Sequence, residues 1–137
     1  MDDWYHNLDV HAPVEDLLAL LTEDGFEAHV PEGEFQGHEG FERLYDGWTH
    51  RFFDEVHKVK QLDIAPADDR ADVTVVVSWQ ARIWDPPEAE SKRLNFDAYQ
   101  TWVVQRSRTS GQPVILTYIV DALKPRNSTP AYEECLA

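Results

Sequence analysis

Six histidines, several isolated aspartates and a rich set of tyrosines and tryptophans are the residues of this chain able to move a proton or hold a ring. Asp121 stands between Val120 and Ala122, and Asp97 between Phe96 and Ala98. A carboxyl among apolar neighbours keeps its proton to higher pH, as a base working beside a carbonyl requires. A lone aspartate near a strand end is more often a rim or turn residue, so the plainer role competes with the catalytic one. His29 alternates with Ala28 and Val30 and faces away from their side; one residue of register slip makes it the best general base in the chain. His50, Asp54 and His57 share one face of a helix that runs on through them. That face lies opposite the helix's apolar stripe and reads as solvated surface, so no metal site is expected. The chain carries no Gly-rich phosphate loop, no G-x-S-x-G elbow, no H-E-x-x-H and no cysteine pair, and no cofactor is expected either.

The elements that must position these groups follow from periodicity. Pro13 opens a short helix in which Val14, Leu17, Leu18 and Leu21 form one buried stripe, with Glu15 and Asp16 near its positive end. Asp24-Gly25 ends it, Phe26 to Val30 alternate as a short strand, and Pro31 to Gly37 reads as a loop. A second helix is predicted from near His38 to about Asp54, gathering Phe41, Leu44, Tyr45, Trp48 and Phe52 on one side. Strands follow near Val56 to Ile64, Asp72 to Trp84, Arg93 to Arg106 and Pro113 to Leu123, with turn-rich segments between them. Strand alternation puts Phe96, Ala98, Gln100, Trp102 and Val104 on one face and Asp97, Tyr99, Thr101 and Val103 on the other. Helices followed by a strand meander imply an α+β fold, a curved antiparallel sheet with helices on one face.

At 137 residues the chain reads as one domain over residues 1–124, with a loosely held tail over 125–137. Its net charge of −14, from 26 acidic against 12 basic side chains, repels phosphate backbones and anionic lipid, so neither nucleic acid nor membrane is an expected partner. No apolar run approaches the roughly 20 residues of a membrane span. Cys135 is the one cysteine, which allows no internal disulfide and points to a reducing, cytoplasmic setting.

The order of short helix, short strand, loop with Gly37, aromatic-rich helix and four long strands resembles the nuclear transport factor 2-like superfamily, especially its SnoaL-like and ketosteroid-isomerase-like branches. Leu17-Leu18-Ala19-Leu20-Leu21-Thr22-Glu23-Asp24 is similar to the family's helix end. Phe26-Glu27-Ala28-His29-Val30-Pro31, followed by Gly37-His38-Glu39-Gly40-Phe41, is similar to its strand, loop and helix start. The resemblance covers most of residues 4–124 and implies a cone, in which the bent sheet wraps the N-terminal helices and leaves an apolar pocket at the wide end (a cystatin-like fold). It also implies pairing of two copies through the outer sheet face. The isomerase branch uses a carboxylate base with a tyrosine and a protonated aspartic acid. The resemblance sets Tyr5 at that tyrosine, but Val30 at the base and Gln100 at the second acid. Valine moves no proton and glutamine does not titrate, so steroid isomerisation by that route is not expected. The SnoaL-like cyclases carry a late acid/base aspartate, loosely matched by Asp121.

The expected function is binding of a small hydrophobic molecule, with isomerisation, cyclisation or dehydration by cofactor-free acid–base chemistry as its catalytic form. Tyr5, His29 and Asp121 are the catalytic candidates, and Trp48, Trp79, Gln100, Trp102 and Tyr118 the ligand walls. A homodimer through the outer sheet face is the expected assembly. The alternative is a non-catalytic assembly module or an accessory subunit resembling the beta chain of aromatic-ring dioxygenases.

Overall fold

A computed structural model describes residues 2–84, 89, 91–126, 129, 130 and 132. The elements run α1 (Asp2–Asp9), α2 (Val14–Leu18), β1 (Glu27–Val30), β2 (Gly33–Gln36), α3 (Gly37–Arg51), β3 (Phe53–Ala67), β4 (Arg70–Ile83), β5 (Lys92–Arg106) and β6 (Pro113–Pro125). The strands form one six-stranded sheet in the order β2-β1-β6-β5-β4-β3. The predicted meander is its larger part, β3 to β6 pairing antiparallel with their sequence neighbours. The sheet is not wholly antiparallel, because β1 joins β6 in parallel, with Ala28 opposite Tyr118.

Bulges at Phe53/Val56 and Val59/Gln61 on β3, and at Tyr99/Gln100 and Val103/Val104 between β5 and β6, bend the sheet into a curved, unclosed surface. Of the two faces that alternation gives β5, the one with Phe96, Ala98, Gln100 and Trp102 is the buried one, with Leu94 on it and Val104 half-buried at its end; Val73, Val75, Val77, Trp79, Ala81 and Ile83 of β4 are buried beside it. Into that concavity α1 delivers Trp4, Tyr5 and Leu8, and α3 delivers Phe41, Leu44 and Tyr45. Trp4 meets Phe41, Trp102 and Tyr118 with ring centroids 5.3–6.0 Å apart, so helices and sheet share one aromatic core. Asp2 and Asp3 sit in the first turn of α1, where the helix dipole favours them.

Three local expectations are corrected. The first predicted helix ends at Leu18 and not at Asp24-Gly25, because the chain is drawn off against β6: Leu21 bridges Ile115, and the Leu20 carbonyl accepts the Ile115 N–H at 2.8 Å. The segment read as a loop from Pro31 to Gly37 contains β2, paired with β1 from Glu27↔Gln36 to Val30↔Gly33. Gly37, at φ 69°, then turns the chain into α3 in a backbone conformation that suits glycine. The second helix stops at Arg51, not Asp54: Phe52 is extended and 2% exposed, anchored in the core with Trp79, while its N–H still donates to the Trp48 carbonyl at 2.9 Å. Asp54 adopts φ 51° and the chain leaves as β3, so the supposed helical face of His50, Asp54 and His57 does not exist. Most of the predicted tail lies outside the described residues; Tyr132, within them, is buried at 4% exposure against Phe52, Trp79 and Phe96.

Candidate active site

The curved sheet and α3 leave an open-mouthed hollow of about 580 Å³, its mouth included. Tyr45, Trp48 and Thr49 reach it from one face of α3 at i, i+3 and i+4 spacing, and Phe52 follows. Opposite stand Trp79 of β4, Ala98 and Gln100 of β5, and Tyr118, Val120 and Leu123 of β6. Glu32, from the β1–β2 turn, and Tyr132 close one side, while Glu55 and His57 of β3 close another.

The bulge at Phe53/Val56 sets the β3 contribution. It re-aims the strand so that Glu55 and His57, two residues apart, both turn inward. Each then meets the end of α1. Asp9 Oδ1 lies 2.5 Å from His57 Nδ1, and Asp9 Oδ2 accepts the His57 backbone N–H at 3.1 Å. Because β3 is the edge of the sheet, that N–H has no strand partner on this side. Two residues after Asp9, His11 Nε2 lies 2.5 Å from Glu55 Oε2, while Glu55 Oε1 accepts the Trp79 indole N–H at 3.1 Å. Two acid–imidazole pairs thus pin the end of α1 and the turn after it to β3. The His57 and Glu55 side chains are each only 8% exposed, which shields both pairs from solvent.

A carboxylate only accepts hydrogen bonds, so Asp9 holds the His57 proton on Nδ1 and leaves the Nε2 lone pair available. The imidazole is fixed in plane by stacking on Tyr5, with centroids 5.1 Å apart at 20°, and on Trp79, at 6.2 Å and 23°. An imidazole so oriented on the wall of an apolar hollow has the placement that general-base chemistry requires.

Behind it sits a buried polar bracket. Gln100, 4% exposed, accepts from the Tyr5 hydroxyl at 2.7 Å and from the Trp102 indole at 3.2 Å. Burial pushes the Tyr5 hydroxyl far above the usual tyrosine range, with Tyr118 adding to the shift. Burial likewise raises Tyr118 strongly; its neighbours Trp4 and Gln100 pull back, and the charges of Glu32 and Glu55 push further up. The Trp4 indole nitrogen stops short of full hydrogen-bond geometry there. Tyr45 is pushed up to about 12 by burial and by the nearby Glu55 and Asp16 carboxylates, and its hydroxyl donates to the Ala12 carbonyl at 2.6 Å. Tyr45 and Tyr118 are therefore neutral at physiological pH, the Tyr45 proton being held by the Ala12 carbonyl.

Trp48, Trp79, Gln100 and Tyr118, expected as ligand walls, all line the hollow, whereas Trp102 lies behind it in the core. Tyr5 is behind His57. His29 is away from the hollow: its side chain is 36% exposed on β1, between Glu27 and Glu34. Asp121 is exposed and accepts from Thr101 Oγ1 at 2.7 Å, also away from the hollow. Asp97, the second isolated aspartate, is ion-paired with Lys60 and Arg126. Asp9, His11, Glu32, Tyr45, Glu55 and His57 were not singled out as site residues from the sequence. The available signal was the spacing Glu55-x-His57, which places both members on one side of an extended chain; Asp9 and His11 stand at the end of α1 and in the turn after it, where spacing gives no such rule. Among the described residues no three His, Cys, Asp or Glu side chains converge as a metal site. None of the described helices is long and apolar enough to cross a membrane.

No family model matches the chain, and no curated protein matches it in sequence. Solved structures match in fold. The hexachlorocyclohexane dehydrochlorinase LinA-type3 of Novosphingobium barchaimii LL02 superposes with a TM-score of 0.73 at 17% identity, covering 93% of this chain and 85% of that one. A scytalone dehydratase candidate of Novosphingobium aromaticivorans DSM 12444 gives 0.69 at 23% identity, covering 96% and 82%. A nuclear transport factor 2-like superfamily protein of Salmonella enterica serovar Typhimurium LT2 gives 0.71 at 14%, covering 96% and 89%. The chain has the cystatin-like, nuclear transport factor 2-like fold, and at these identities the likeness is one of fold alone.

Proposed function

We propose that this protein catalyses an elimination on a small, ring-bearing hydrophobic substrate, using only its own side chains. The observation that carries the reading is the Asp9–His57 pair on the wall of an apolar hollow. His57 Nε2 takes a proton from a substrate carbon, the carbon–hydrogen electron pair becomes a double bond, and the adjacent leaving group departs with its bonding pair. Asp9 is a positioning residue: it fixes the tautomer and stabilises the imidazolium that forms. Tyr118, kept neutral, supplies a hydrogen bond to the departing group. The two rings stacked on His57 hold it still, and the aromatic walls hold a flat substrate. Support also comes from the dehydrochlorinase and the dehydratase candidate, whose names describe loss of hydrogen chloride and of water.

The test is a panel of cyclic β-hydroxy carbonyl compounds and cyclic halides, followed by ultraviolet absorbance of the new double bond. Turnover that His57→Ala lowers at least a hundredfold supports the reading. Turnover indifferent to His57→Ala, or saturable binding across the panel with no turnover, leaves the binding-module reading in its place. The proposal includes a homodimer through the outer faces of β4 to β6, where Val76, Tyr99, Val103 and Ile119 are half-buried in the single chain. Native mass spectrometry giving only monomer removes that part.

A further inference from the structure

We propose that Glu32 makes the hollow selective for organic cations, so that its ligand is a ring compound bearing an ammonium or similar positive group. The inference rests on reading the hollow as a ligand site, and not on the chemistry assigned to His57.

Glu32 Oε2 accepts the Trp48 indole N–H at 2.6 Å and the Tyr132 hydroxyl at 3.1 Å. Both donors are neutral, so they fix the carboxylate without cancelling its charge. Glu55 faces the same space, but shares its charge with His11. No lysine or arginine lines the hollow among the described residues. An anionic ligand therefore meets the Glu32 carboxylate with no lysine or arginine on the walls to offset it, in surroundings whose apolar character weakens screening. Burial raises the Tyr118 hydroxyl first, and the charges of Glu32 and Glu55 add to that rise.

The walls favour the same class. Trp79, Phe52 and Tyr132 pack with centroids 5.0–6.2 Å apart and, with Trp48, surround the space beside Glu32. Aromatic faces attract a desolvated cation through their quadrupoles, and a ring cluster with one fixed carboxylate is the chemistry that recognises alkylammonium groups. The chain's net charge of −14 draws cations towards the protein before they reach the site.

Three probes of near-equal shape decide it: phenyltrimethylammonium, its neutral isostere tert-butylbenzene, and benzenesulfonate. Binding to the full chain is followed by the proton–nitrogen signals of Trp48 Nε1 and Trp79 Nε1, which localise it to the hollow. The expected order is phenyltrimethylammonium about tenfold tighter than tert-butylbenzene, with benzenesulfonate weakest. Glu32→Gln, which keeps an acceptor for Trp48 and Tyr132, should shrink the tenfold preference to below about threefold. Equal binding of the first two probes by the unaltered protein overturns the proposal, and so does failure of all three to move either indole signal. If Glu32→Gln does not fold by circular dichroism, the ordering in the unaltered protein decides alone. None of the probes can undergo the elimination, so loss of selectivity leaves the His57 reading intact, and absence of turnover leaves this one intact.

Discussion

Replacing Asp9 with asparagine tests the candidate site at its most specific point. The aspartate makes two contacts with one residue, 2.5 Å to His57 Nδ1 and 3.1 Å to the His57 backbone nitrogen. With a carboxylate at position 9 the imidazole proton must sit on Nδ1. An asparagine turns its NH₂ towards that nitrogen equally well, which moves the proton to Nε2 and removes the lone pair there. If His57 is the base, kcat should fall by about 10²–10⁴, a barrier increase of about 3–5 kcal/mol. Stability should fall much less. One charge-assisted hydrogen bond becomes a neutral one in a pair whose side chains are 8% and 22% exposed, a loss of about 1–2 kcal/mol. For a domain of this size that lowers Tm by roughly 3–8 °C. The decisive assay needs no substrate. Long-range proton–nitrogen correlation at about pH 9, where ordinary imidazoles are neutral, reports which ring nitrogen carries the proton. The unaltered protein should show His57 as the Nδ1–H tautomer and Asp9→Asn should show a rise in the Nε2–H form. An Nε2–H ring in the unaltered protein refutes the assignment of His57 as a base, whatever the variants do to activity.

Three further outcomes follow from the packing. Gln100→Leu strips the buried Tyr5 hydroxyl and Trp102 indole of their shared acceptor and should cost about 2–4 kcal/mol by urea unfolding, against about 1 kcal/mol for Tyr5→Phe; the reverse order would mean that the bracket is not a unit. Tyr45 has its folded value raised from 10.0 to about 12, so the unfolded chain releases that proton first as pH rises. The stability linked to it is complete below pH 10 and is lost between 10 and 12, so the urea midpoint should fall across that window and fall less steeply in Tyr45→Phe. Phe96 is fully buried between Trp79 and Tyr132, each 5.8 Å away, and Phe96→Ala should cost about 3–5 kcal/mol.

The strand meander was legible because alternation in Asp72 to Trp84 and Arg93 to Arg106 repeats at a period of two over many residues, and one buried face repeats the same choice each time. The aromatic stripe of α3 was legible for the corresponding reason at a period of 3.6. Those two regularities also delivered the walls Trp48, Trp79, Gln100 and Tyr118, which are simply inward positions of regular elements. The proposed base and its partner are of another kind. Asp9 and His57 are 48 residues apart, and they meet only because three irregularities coincide. The helix ends at Arg51 although its polar spacing continues through Asp54 and His57; Asp54 enters the left-handed region; and the bulge beside it turns Glu55 and His57 inward together. Periodicity extrapolated across that junction puts His57 on a solvated helix face, opposite to where it stands. The pull of Phe52 into the core decided the matter, a tertiary effect stronger than the local pattern. The chemistry of this chain is concentrated where local regularity breaks, since a break in the pattern is what lets a polar side chain enter a wall otherwise reserved for apolar ones.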